Sequence, residues 1–284
     1  MAKKIISLLL VFISVATLVV SPLRADDRIV MSIDDNNYTV DDFLYLYLKN
    51  RNNGGETINT HDYATMFAVF RMKVMEAEAA GIDTTQSFKS ELEYYCASLD
   101  DNDIKLRQEY RDGMLLFEIS DRRVWRQSTD DSDSLEELFN IQRDKYKWTE
   151  PRAKGWIIYA TTPDKLTLAN EYLTSHNVEY DVADTLRENF GRDITASPFL
   201  VKEGVNPIVD SIVFNSGKGF EPDNKWKAIG GYRCRIILNP EVWTDVKGDV
   251  TSDYQDILNQ EWENELWNKH KVVFFFDIID EIDN

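Results

Sequence analysis

The sequence predicts an α+β protein in which a mostly helical core, assembled from both ends of the chain, carries a smaller inserted α+β domain. Three observations lead there. The stretch from Thr60 to Gly81 repeats apolar residues at helical spacing over about five turns. Residues 153 to 238 alternate strand-like and helical segments. From Thr251 onward, Tyr254, Ile257, Leu258, Trp262 and Leu266 recur at helical spacing before the apolar run Val272 to Phe276, so the C-terminal segment holds surface that must be covered by another part of the chain.

The chain opens with Lys3 and Lys4, an apolar run from Ile5 to Val20, and Ser21-Pro22-Leu23-Arg24-Ala25 ahead of Asp26 and Asp27. A basic start, an apolar stretch of about 16 residues and a small residue at its end read as a secretory signal peptide, residues 1–25, cleaved after Ala25. The run is short for a membrane span, and no cysteine follows to carry a lipoprotein anchor; an uncleaved anchor is the alternative. Cleavage removes Lys3, Lys4 and Arg24 and no acid, which takes the formal charge from −18 to −21. Such a charge repels phosphate backbones and anionic lipid, so neither nucleic acid nor peripheral membrane binding is expected, and no stable membrane insertion is expected once the signal is cleaved. Cys96 and Cys234 are far apart in sequence, and either a disulfide or two buried free thiols is compatible with an oxidising compartment.

Taken in order, Arg28 to Ile33 alternates as a short strand and Asp34 to Asn37 supplies a turn. Thr39 with Asp42 forms a loose capping box for a helix whose apolar face is Val40, Phe43, Leu44 and Tyr47. Asn52-Asn53-Gly54-Gly55 breaks the chain. In the long helix that follows, Tyr63, Met66, Phe67, Phe70, Val74 and Ala77 share a stripe, while Arg71, Lys73, Glu76 and Glu78 fall off it; Thr60 caps the start and Gly81 ends it. Two helices, or one with a break, follow between Thr84 and Gln127, with Phe88, Leu92, Tyr95 and Leu99 on one stretch and Ile104, Tyr110, Met114, Phe117 and Trp125 on the next, interrupted at Asp100 to Asp103. These elements make a helical domain over residues 26–127.

Residues 128–152 read as a linker and lead-in helix: Ser128 to Ser134 is polar, and Ser134 with Glu137 forms a second capping box. The acids there lack the glycine and distal glutamate of a calcium loop. Residues 153–244 run strand (Trp156 to Tyr159), helix (Pro163 to Ser175), short helix (Val182 to Phe190), a turn region at Phe199 to Gly204, short helix (Pro207 to Phe214) and closing strand (Gly231 to Leu238). Residues 245–284 supply the last helix and strand, the strand lying beside Arg28 to Ile33.

Several phrases resemble SurA-like periplasmic chaperones, many of which also carry parvulin-type prolyl isomerase domains. The long helix followed by Gly81-Ile82-Asp83-Thr84-Thr85 resembles their N-terminal helical region. Val246-Lys247-Gly248 through Asp253-Tyr254-Gln255 and Glu261-Trp262 resembles their C-terminal helix, which returns to pack on the N-terminal one. Lys154-Gly155-Trp156-Ile157-Ile158 stands where parvulins have Arg-His-Ile-Leu, and Gly231-Tyr232-Arg233 where they have Gly-Tyr/Phe-His. Trp156 and Arg233 thus replace both family histidines, so the inserted domain is similar to a degenerate parvulin. One full isomerase domain is missing, because Gln108 to Phe117 resembles the segment that follows such a domain.

No other chemistry is indicated. His61, His176 and His270 are scattered without ligand spacing, so neither a metal nor a cofactor is expected. There is no Gly-x-Ser-x-Gly elbow, and Ser216-Gly217-Lys218-Gly219 lacks the elements of a phosphate-binding loop. The resemblance implies a periplasmic chaperone for unfolded or extended polypeptides, including outer-membrane clients, with no catalytic residue. Tyr45, Met72, Met75 and Trp125 are the candidate client contacts, since Met and aromatic side chains adapt to varied partners; core packing is the competing role for each. An active prolyl isomerase and a dedicated interaction subunit for one folded partner are the alternatives.

Overall fold

The computed structural model describes residues 26–52, 58–100, 102–217, 219 and 221–282; the expected signal peptide and the Asn53-Gly54-Gly55 break lie outside them. The protein is a mostly helical α+β chain with two three-stranded sheets. It divides into two compact units, the first made of residues up to Leu135 together with those from Thr251 onward, the second of Glu136–Val250.

In the first unit, β1 (Ile29–Ile33) turns through Asp34 and Asp35 into β2 (Asn36–Thr39). Asn36 and Asn37, read from sequence as turn residues, are already paired strand, because Asp34 takes the left-handed conformation at φ 51° and closes the hairpin in two residues. Helix α1 (Val40–Asn52) starts with the expected reciprocal cap: the Thr39 N–H donates to Asp42 Oδ2 and the Asp42 N–H to Thr39 Oγ1, both at 3.2 Å.

Helix α2 (Thr60–Ala79) is capped by Asn59, whose Oδ1 accepts from the Asp62 N–H at 2.8 Å; Thr60, expected in that role, is buried instead. Gly81 at φ 70° follows its end. The helix is buried beyond the expected stripe. Tyr63, Phe67, Met72, Val74 and Ala77 are core, and Lys73, off the stripe, is buried as well. The reason is that α2 has neighbours on several sides.

Helix α3 (Gln86–Cys96) and helix α4 (Ile104–Ser120) follow as expected, and α4 continues through one π-helical turn, Asp121–Trp125, into α5 (Arg126–Asp130) and then α6 (Ser132–Ile141). The expected polar linker at Ser128 to Ser134 is therefore helical except at Asp131, which separates α5 from α6. Ser128 is fully buried and donates to the Trp125 carbonyl, and the α6 cap is Asp131, which accepts from the Ser134 N–H at 3.0 Å. Short polar side chains that suggest a linker by composition act here as local hydrogen-bond partners of the backbone.

The chain returns to this unit through α9 (Lys247–Lys269), β6 (Val272–Phe274) and α10 (Phe276–Asp280). Strand β6 pairs antiparallel with β1, Met31 opposite Phe274 and Ile33 opposite Val272, which places β1 at the centre of the order β2-β1-β6. Trp262 and Leu266 of α9 enter the core against α2. Lys73 Nζ donates to Asn259 Oδ1 at 2.7 Å and Glu263 Oε1 at 2.9 Å and lies 4.5 Å from the Trp262 ring, while Trp262 Nε1 donates to Glu76 Oε2 at 2.8 Å. Burial pushes the Lys73 ammonium pKa down, and Glu263 opposes that shift. On another side of α2, Arg71 pairs with Asp112 at 2.5 Å and Arg111 with Glu78 at 2.7 Å. Burial raises the Asp112 carboxyl, with Arg71 pulling the other way.

The second unit contains β3 (Arg152–Ala160), α7 (Pro163–Ser175), α8 (Val182–Phe190), β4 (Ile194–Lys202), a helical turn Pro207–Val209 that passes into the π-helical turn Asp210–Phe214, and β5 (Ala228–Ile237). The sheet is antiparallel in the order β4-β3-β5. Strand alternation sends Ile158 and Ala160 toward Leu173, Val182 and Leu186 of the helices, and Ala153 and Ile157 toward Phe199 and Val209. Both cysteines are free thiols, Cys96 buried in the first unit and Cys234 half-buried in the second.

Trp262→Ala should lower stability by about 3–5 kcal/mol in denaturant unfolding, because it empties a core site and strips Glu76 of a donor; an unchanged midpoint would show that α9 adds nothing to the core. Asp34 gives a pH test. The His270 ring at 2.6 Å and then the Lys271 N–H at 2.9 Å hold its carboxyl below the ordinary 3.8. A folded value below the unfolded one contributes stability above the unfolded value and loses it as pH falls through the folded value. Asp34→Asn should flatten the acid limb of the stability profile, as read from urea midpoints between about pH 5 and about pH 2.

Candidate functional site

The sheet of the second unit holds Trp156 and Arg233, the residues that the sequence resemblance sets against the parvulin histidines. Strands β3 and β5 pair from Ala160 opposite Ala228 to Trp156 opposite Tyr232, and again from Lys154 opposite Arg235; between them Gly155 faces two residues, Arg233 and Cys234. This is a β-bulge, and Arg233 adopts φ 49° within it. The bulge depends on two glycines. A Cβ on Gly155 would lie 2.8 Å from Cys234 Cα, and one on Gly231 would lie 2.6 Å from Cys234 Sγ and 2.9 Å from Ile212 Cγ2. Burial pushes the Cys234 thiol pKa up, away from the thiolate form a nucleophile needs.

The bulge turns Arg233 toward the connection between α7 and α8. Its Nη2 donates to Asn177 Oδ1 at 2.6 Å, its Nη1 lies 3.0 Å from Glu179 Oε1, and its Nε donates to the Tyr232 hydroxyl at 3.3 Å. That hydroxyl sits 2.9 Å from the Leu173 carbonyl and 2.8 Å from the Val178 carbonyl. Arg233 therefore ties β5 to the helical layer. Trp156 is half-buried against the same core. The structure brings the two positions onto neighbouring strands, and each is occupied by a side chain engaged in packing or pairing.

The candidate client contacts are scattered over the first unit. Tyr45 donates to Glu109 Oε2 at 2.9 Å, and burial followed by the Glu109 charge raises its hydroxyl pKa. Met72 is fully buried, which corrects its reading as a contact: the folded chain leaves it no surface to offer. Met75 is half-buried with its sulfur 3.7 Å from the Tyr38 hydroxyl. Trp125 is half-buried, edge-on to Phe117 at 5.1 Å, and Phe117 is 55% exposed.

A surface that sequence reading missed lies on α3 and α4. Tyr94 is 78% exposed and Tyr95 47%; Tyr95 stacks on Tyr110 across the two helices at 6.4 Å and meets Tyr94 edge-on at 5.7 Å. Tyr95 and Phe117, read as members of apolar stripes, are outside the core. Helix α3 buries Phe88, Cys96 and part of Leu92, which follow one another at four-residue steps, and it ends before Leu99 could continue the other stripe. The four-residue alternative through Cys96 was the available signal.

Among the described residues no group of three His, Cys, Asp or Glu is placed to hold a metal, and no helix is long and apolar enough to cross a membrane. The chain matches no protein-family profile and no curated protein. Among solved structures it is similar to a chain described under the virulence factor PEB4 and the periplasmic protein Cj1289, two structurally related SurA-like chaperones of Campylobacter jejuni. That likeness has 13% identity over 87% of this chain and 99% of the other, with a TM-score of 0.38, values that transfer neither a fold nor a residue role.

Gly231→Ala should destabilise the second unit by about 1–3 kcal/mol through overpacking. Adding Cys234→Ala should restore part of that loss, since it removes the sulfur but leaves Ile212 in place; strictly additive effects in chemical unfolding would disprove the shared slot.

Proposed function

We propose that the protein is a non-catalytic, chaperone-like binder of unfolded or extended polypeptides, of the SurA type, acting in the periplasm after removal of residues 1–25. The observation that carries this reading is the set of aromatic side chains left on the surface of the helical unit, Tyr94, Tyr95, Phe117 and the adjoining Trp125. Exposed rings supply apolar contact area with few rotatable bonds, which suits partners of varied sequence. The sequence resemblance to SurA-like chaperones points the same way, and outer-membrane polypeptides are the client class it suggests.

Prolyl isomerase activity is not part of the proposal. The barrier to rotation is about 18–20 kcal/mol, and lowering it takes polar groups aimed at a desolvated twisted bond. Trp156 has no acceptor nitrogen, and Arg233 keeps a permanent charge already shared with Glu179 and Asn177.

The mature chain should suppress aggregation of several unrelated denatured proteins followed by light scattering, and should leave the cis-to-trans rate of a proline peptide unchanged in a protease-coupled assay beside an active parvulin. Suppression of none would favour a dedicated subunit for one folded partner. A rate that rises with protein concentration and vanishes on changing Trp156 or Arg233 would replace the proposal with an isomerase.

A further inference from the structure

We propose that the tyrosine face of α3 and α4 docks a cationic stretch of extended polypeptide, Lys or Arg side chains lying over the rings of Tyr94, Tyr95 and Tyr110. This names the partner chemistry of the chaperone reading and rests on it. The protein places its own cations over aromatic rings at many points: Lys73 over Trp262 at 4.5 Å, Arg152 over Trp148 at 4.3 Å, Lys225 over Trp226 at 4.1 Å and Arg71 over Tyr38 at 5.0 Å. Among the described residues the rings of Tyr94, Tyr95 and Tyr110 carry no such cation, although Tyr94 is 78% exposed. They also touch one another, which makes a continuous array across the seam between the two helices.

The charge around the array is complementary to a cation. Glu91 and Glu93 precede the tyrosines on α3, and Asp100 and Asp103 follow in the connection to α4; all four are exposed. Lys89 and Arg107 are the exposed cations of the same region, and they are outnumbered; Lys105 is held by Asp41. Tyr94 and Tyr95 belong to the last turn of α3, which has no basic residue, so the negative end of the helix dipole adds to the carboxylates. A ring quadrupole and flanking carboxylates favour the same ligand charge. The chain's formal charge of −18 attracts a basic segment from a distance and repels a second copy of itself.

The test is a fluorescence anisotropy titration of the full mature chain with three labelled peptides that differ only in alternating Lys, Ser or Glu between leucines. The Lys peptide should bind at least about tenfold more tightly than the Glu peptide, with affinity falling as salt rises. Tyr94→Ser with Tyr95→Ser should weaken the Lys peptide about tenfold. Glu91→Gln with Glu93→Gln should weaken it and flatten its salt dependence. Both double variants change exposed positions, and their unfolding midpoints should match the parent. Equal binding of the three peptides, or parental affinity in the tyrosine variant, would overturn the proposal; so would a sedimentation result in which the tyrosine variant converts a dimer to a monomer, which would assign the face to self-association. If the parent suppresses no aggregation yet shows the peptide pattern, the chaperone reading falls and the docking surface stands. If it suppresses aggregation without that pattern, the docking surface alone falls.

Discussion

The contact between α2 and α9 is the constraint on which the first unit depends. Lys73 and Asn259, 186 residues apart, meet in a core where the ammonium has lost most of its water, and Glu263 with Asn259 replaces that hydration. Removing Glu263 or Asn259 leaves the Lys73 ammonium buried and short of partners, which is far more costly than the pair's net worth. Trp262, bonded through its indole to Glu76, fills the same junction with apolar volume. Once α9 is held there, β6 falls beside β1 and the two ends of the chain close one sheet. Across that seam the His61 Nε2 lies 2.6 Å from Asp280 Oδ1 and Arg28 pairs with Glu281.

This closure explains why the rest of the chain can be carried as a separate unit. Both points where the chain crosses from one unit to the other, near Leu135 and near Thr251, fall within helices, α6 and α9. The second unit has its own antiparallel sheet with apolar residues on both faces, so it holds a core of its own. Its bulge converts what would be a regular strand into a clamp: Gly155 and Gly231 leave room for the Cys234 sulfur, and Arg233 is turned onto the α7–α8 connection. Trp156 and Arg233, which the sequence resemblance sets against the parvulin histidines, are engaged in packing and pairing, and this supports the proposed lack of catalysis.

Aromatic residues divide sharply between these roles. In the first unit Phe43 meets both Tyr63 and Phe67 edge-on inside the core, at 5.2 Å and 5.6 Å, whereas the rings of Tyr94 and Tyr95 remain in solvent beside carboxylates. A strongly acidic chain keeps such rings soluble through like-charge repulsion between copies, and the same charge selects what can approach them.

Local signals were legible in the sequence: the Thr39–Asp42 cap, the stop at Gly81, the exact span Pro163 to Ser175 of α7, and the helical periodicity of the last segment, all of which depend on neighbours within a few residues. The pairing of β1 with β6 was also readable, because the apolar residues of the last helix and strand needed cover from another part of the chain; the pairing of β1 with β2 was not read. Tertiary structure alone decided the burial of Lys73, the exposure of Tyr95 and the loss of Met72 to the core. In each case the outcome depends on what packs against a residue from a distant part of the chain, and periodicity records only which side chains share a face, not whether another helix will cover it.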